Sequence, residues 1–70
     1  MYEIMYTKKE NGHRMVQVMS FHTAQIIRFT MDEYEAGKLP KSLHAFIESV
    51  EDAIHRGKWE QNYSSIDKLR

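Results

Sequence analysis

Seventy residues, no cysteine and a formal net charge of zero predict a single small domain spanning 1–70 and exclude several classes at once. Without thiols there are no disulfides and no thiolate metal sites, and the absence of a charge excess argues against a general polyanion binder. No apolar run approaches the roughly 20 residues that a membrane-spanning helix needs.

A chain of this size buries only about 60% of its unfolded surface, so its expected stability is modest, on the order of 3–5 kcal/mol. Self-association, a homodimer for instance, is one route to further support. The N-terminus, MYEIMYTKKENG, carries Glu3 inside its apolar stretch and lacks the plan of a secretory signal. A cytoplasmic location and no membrane contact are therefore expected. Charge is uneven along the chain. Lys8, Lys9, Arg14 and Arg28 outnumber Glu3 and Glu10 up to residue 30; Asp32, Glu33, Glu35, Glu48, Glu51 and Asp52 outnumber Lys38 and Lys41 from 31 to 55.

Tyr2 to Thr7 is rich in strand-favouring residues, and Asn11-Gly12 follows it among polar neighbours. Asn-Gly suits a type I′ turn, which needs positive φ at both central positions, so Arg14 to Phe21 returns as the second strand of a hairpin. A two-residue turn sets the register. Tyr2, Ile4, Tyr6 and Lys8 then face Phe21, Met19, Gln17 and Met15 on one side, the more aromatic one and the side expected under a helix. Glu3, Met5, Thr7 and Lys9 face Ser20, Val18, Val16 and Arg14 on the other. A bulge would shift one strand and swap its faces.

His22-Thr23 reads as a turn and Ala24 to Thr30 as a third strand. Thr30 and Glu33 fit a capping box, Phe29 and Tyr34 a hydrophobic staple, and Gly37 a C-terminal stop, which predicts a short helix over 31–36. Beyond Pro40, Leu43, Phe46, Ile47, Val50, Ala53 and Ile54 fall within about 120° of arc at about 100° per residue. That stripe predicts an amphipathic helix over 42–56, stopped by Gly57. In KWEQNYSSIDKLR, Trp59, Gln61 and Tyr63 alternate as a short strand would, while Ser64 or Ser65 could cap a last turn carrying Ile66 and Leu69. Trp59 is expected against an end of the core. The fold class is α+β: a three-stranded antiparallel sheet, a short helix, and a C-terminal amphipathic helix across one face.

Chemical motifs are scarce. His44, Glu48, Glu51 and His55 share one side of the long helix, but 44 and 55 lie about 16 Å apart along it, so each end offers two ligands where zinc wants three or four. Solvated pairs, and no metal, are the simpler reading. No serine stands in a nucleophile elbow, and Gly12, Gly37 and Gly57 all serve turns or caps rather than a phosphate loop. Neither an enzyme nor a cofactor is expected.

Nucleic-acid binding is the alternative, with Lys8, Lys9, Arg14 and Arg28 on phosphates and Tyr2, Tyr6 and Phe21 as stacking surfaces. QIIRFTMDEYEAG followed by GKLPKSLHAFIESVEDAI, residues 25–54, resembles in outline the strand and two helices of a ribbon-helix-helix DNA-binding segment. The resemblance implies that Gln25, Ile27 and Phe29, or Ile26, Arg28 and Thr30, would face the groove. MDEYEAG is short for the family's first helix. The preferred reading is a non-enzymatic protein-binding module, a small adaptor, inhibitor or regulator. Its expected contact surface is Met5, Thr7, Arg14, Val16 and Val18 on an open sheet face, with the acidic stripe Glu48, Glu51 and Asp52 second. Five methionines in so short a chain favour that reading, because methionine adapts its shape at interaction surfaces. Small viral or mobile-element proteins that inhibit a host factor share this composition.

Overall fold

Asn11 and Gly12 have φ of 54° and 81°, the two positive values a type I′ turn demands, and the chain folds back on that turn in the computed structural model, which describes residues 1–61. The turn joins β1 (Tyr2–Glu10) to β2 (His13–Ser20), and β3 (Gln25–Thr30) completes an antiparallel sheet of order β1-β2-β3. From the turn outward, Lys9 pairs with Arg14, Thr7 with Val16 and Tyr6 with Gln17, as the two-residue turn dictates. The register then breaks. Between Ile4 and Tyr6 the first strand carries one residue without a partner, Met5, so Ile4 faces Val18 rather than Met19 and Tyr2 faces Ser20 rather than Phe21.

This bulge reverses the expected assignment of faces. One extra residue flips every side chain beyond it, so Tyr2 and Ile4 join Thr7, Val16 and Val18 on the same side. The third strand settles which side is covered. Val16 sits beside Phe29 and Val18 beside Ile27, an apolar block, whereas Gln17 on the other face sits beside Arg28. Hence the helices lie on the face of Val16 and Val18, both fully buried, and not on the face of Tyr6, Met15 and Gln17.

The third strand starts at Gln25, one residue later than expected, because Ala24 adopts a left-handed φ of 56° in the turn that also holds Thr23 Oγ1 against Ser20 Oγ at 3.0 Å. Thr30 then caps α1 (Met31–Glu35). The Glu33 amide donates to Thr30 Oγ1 at 3.2 Å, the Thr30 amide donates to Glu33 Oε1 at 2.8 Å, and Phe29 and Tyr34 are both buried as a staple requires. Burial, reinforced by the hydrogen bond to Glu51 and the charges of Glu51, Glu48 and Glu35, raises the Tyr34 phenol above its usual pKa.

After Pro40, α2 (Lys41–His55) runs the length of the hairpin. Near its start Tyr2 meets Ser42 and the Phe46 ring, whose centroid is 5.6 Å away; near its end Arg14 Nη1 donates to the Ile54 carbonyl at 2.8 Å. Leu43, Ile47 and Ile54 are fully buried, each contributing about 1.5–3 kcal/mol by leaving water. Beyond the helix, the segment 59–61 lies parallel to the outer edge of β1. The Thr7 amide donates to the Trp59 carbonyl at 2.9 Å and the Gln61 amide to the Thr7 carbonyl at 2.8 Å. Trp59 packs against the core. The strand or capped turn expected around Tyr63, Ser64, Ser65, Ile66 and Leu69 lies outside the described residues. No helix of the described residues is long and apolar enough to cross a membrane.

Ala24 offers a direct check on the second turn. A Cβ in the left-handed region costs about 1–2 kcal/mol, part of which glycine's larger unfolded-state entropy offsets. Ala24→Gly is therefore expected to raise the unfolding free energy by about 0.5–1 kcal/mol, read as a higher urea midpoint. A lower midpoint would contradict the left-handed turn.

Candidate functional site

Strand alternation turns a set of side chains away from both helices: Glu3, Met19 and Ile26 in one row, Tyr6, Gln17 and Arg28 in the next, Lys8, Met15 and Thr30 in the third. Met1 and Phe21 extend the first row past the strand ends, where the Phe21 amide donates to the Met1 carbonyl at 2.9 Å. The bulged Met5 belongs here too, because its sulfur lies 3.6 Å from Gln17 Nε2. Among the described residues no element covers this face.

At its centre Gln17 is only 9% exposed although it points to the uncovered side. Its neighbours roof it. Gln17 Oε1 accepts from the Tyr6 hydroxyl at 3.0 Å and from Arg28 Nε and Nη2 at 3.2 and 2.9 Å, while its amide nitrogen reaches Met5. The Arg28 guanidinium is thereby laid flat across the sheet with a neutral amide, not a carboxylate, as its partner among the described residues. A cation held this way keeps its charge available to an incoming group.

Around this polar centre the rim is apolar. Met1, Met5, Phe21 and Ile26 are the exposed large apolar residues among those described, Ile26 at 57% and Phe21 at 54%. Met15 and Met19 are half-buried on the same side. Four of the chain's five methionines thus lie on one face, and the fifth, Met31, is in the core.

The residues singled out from sequence are scattered by comparison. Thr7, Val16 and Val18 are fully buried beneath α2 and cannot form an outer contact surface; of that set only Met5 reaches the uncovered face. Arg14 is spent within the fold, donating to the Ile54 carbonyl and, at 2.9 Å, to Glu60 Oε1, which also accepts from the Thr7 hydroxyl at 3.0 Å. Of the acidic stripe, Glu48 and Asp52 are exposed, while the half-buried Glu51 accepts from the Tyr34 hydroxyl at 3.1 Å. The cations proposed for phosphates divide between two faces. Lys8, 3.0 Å from Glu10, and Arg28 are on the uncovered side; Lys9 and Arg14 are on the helix side. Tyr2 packs on Phe46, which leaves Tyr6 and Phe21 as the aromatic groups of the uncovered face.

Sequence reading passed over Gln17, Met19 and Ile26 as site residues. The signal that would find them is the pairing of Gln17 with Arg28, which marks their face as the polar-centred one once β3 is in register. No family model, curated protein sequence or solved structure matches this chain, so its function rests on the chemistry of the face itself.

If Gln17 organises the face, Gln17→Ala removes the acceptor shared by Tyr6 and Arg28, and stability is expected to fall by about 1–2 kcal/mol. Chemical denaturation reads this directly. A change under about 0.5 kcal/mol, the range of an ordinary surface substitution, would show that the network does not hold the face together.

Proposed function

We propose that this chain is a non-enzymatic protein-binding module, a small regulator, adaptor or inhibitor, and that it binds through the uncovered sheet face. The observation that carries this reading is the concentration of Met1, Met5, Met15, Met19, Phe21 and Ile26 around the Tyr6–Gln17–Arg28 centre. Contiguous apolar surface on a soluble domain marks interaction sites, and Met, Tyr and Arg are among the residue types enriched in them. Methionine suits such a face because its unbranched chain repacks against whatever shape arrives. Gln17 and Arg28 supply the directional contacts that apolar groups lack. A cytoplasmic setting belongs to the same proposal, on the absence of cysteine.

Nucleic-acid binding is supported by a narrower set, Lys8 and Arg28 beside Tyr6 and Phe21, and is weakened by the placement of Lys9 and Arg14 on the opposite face. A mixed-sequence DNA or RNA probe is expected to pass a sizing column without co-elution at low salt. Affinity that falls steeply with salt would replace the protein-binding reading.

The protein-binding reading is tested with two double variants carried through partner capture and light scattering. Met19→Glu with Ile26→Glu places charge in the proposed contact surface, whereas Glu48→Lys with Asp52→Lys reverses charge on the exposed side of α2. The first pair is expected to retain the wild-type circular dichroism and lose the bound protein, a second copy of the chain included. The second pair is expected to keep it. Loss with the α2 variant and retention with the sheet variant would move the site to the helix.

A further inference from the structure

Where the end of α1 meets the last turn of α2, Glu35, Glu51 and His55 bring two carboxylate oxygens and one imidazole nitrogen within 4.8 Å of one another. Helix spacing accounts for only part of this. Glu51 and His55, one turn apart, set Oε2 and Nε2 3.6 Å from each other. The third donor arrives through tertiary structure: the connection at Gly37 folds α2 back beside α1 and brings in Glu35, the last residue of α1.

Two features set this group apart from ordinary surface acids. First, the donor set is mixed, and an imidazole with two carboxylates is a set that first-row divalent ions accept, whereas Ca²⁺ and Mg²⁺ prefer oxygen alone. Second, Glu51 is held from outside the group. The buried Tyr34 donates its hydroxyl to Oε1, which leaves Oε2 for the side where His55 stands. Carboxylates that ligate metals are commonly held by an outer hydrogen bond of this kind. The electrostatics point the same way. Two carboxylates this close repel, both helices direct their carbonyl ends here, and no lysine or arginine forms an ion pair with Glu35 or Glu51 among the described residues.

We propose that Glu35, Glu51 and His55 bind a divalent first-row transition-metal ion, with Zn²⁺ the best match, water completing its coordination. Three protein ligands and an open position are the pattern of non-structural zinc sites. Bound there, the ion joins α1 to α2, so metal binding and stability are linked.

The probe is Zn²⁺ alone, titrated calorimetrically into the wild-type chain, with thermal midpoints recorded in Zn²⁺ and after chelation. One ion per chain and a midpoint that rises with Zn²⁺ and falls back with chelator are expected. Glu35→Gln and His55→Asn should each weaken binding about tenfold or more, and Tyr34→Phe should weaken it without abolishing it. Glu35→His, which restores a donor, should recover the affinity. His13→Gln and His22→Gln serve as controls and should leave it unchanged. The proposal is overturned if the chain takes up no Zn²⁺ at millimolar concentration, or if affinity ignores Glu35→Gln and follows a control histidine instead.

Discussion

One unpaired residue, Met5, sets the geometry on which the rest of the molecule depends. In an uninterrupted hairpin Ile4 and Tyr2 would lie on the face opposite Thr7, Val16 and Val18, and each side would be apolar over half its length. Neither half alone gives α2 a continuous surface. The bulge rotates the first residues of β1, Tyr2 to Ile4, relative to the remainder, so Ile4 comes beside Val18 and both apolar halves fall on the same side. The stripe of Leu43, Ile47 and Ile54 then has one surface to lie on, closed at its far end by Arg14, which satisfies the Ile54 carbonyl and holds Glu60.

The same device determines what is left outside. With Val16, Val18 and Ile27 gathered under the helix, the second face receives four methionines and Ile26, together with a glutamine that stays buried because tyrosine and arginine close over it. Core and candidate contact surface are thus two consequences of one register shift. The core side uses residues of stiff shape, Val16, Val18, Ile27 and Ile47, as a unique packing requires. The outer side uses methionines, whose shape adapts. That division is the physical content of the protein-binding proposal.

What could be read from the residues alone follows from range. The Asn11-Gly12 turn, the Thr30–Glu33 box, the Gly37 and Gly57 stops and the apolar stripe of the long helix are decided by neighbours a few positions apart, and the structure contains each of them. The covered face of the sheet was not legible in the hairpin, where both sides carry apolar residues. It depends on Val16 meeting Phe29 and Gln17 meeting Arg28, pairings across a second turn whose left-handed Ala24 carries no glycine or asparagine signal. Glu35 is a similar case. Periodicity relates Glu51 to His55 on one helix, but only the fold back at Gly37 adds a residue from another.

Because the chain has no cysteine, single cysteines report the two faces cleanly. The decisive measurement is the rate at which Val18→Cys and Met19→Cys, each checked for native circular dichroism, react with a water-soluble thiol reagent. Adjacent in sequence, the two positions lie on opposite sides of the sheet. With the helix over Val16 and Val18, the thiol at 19 reacts in the folded protein and the thiol at 18 is protected until the protein unfolds. Rapid labelling at 18 with protection at 19 would put the helix on the methionine face and contradict both the bulge and the proposed contact surface.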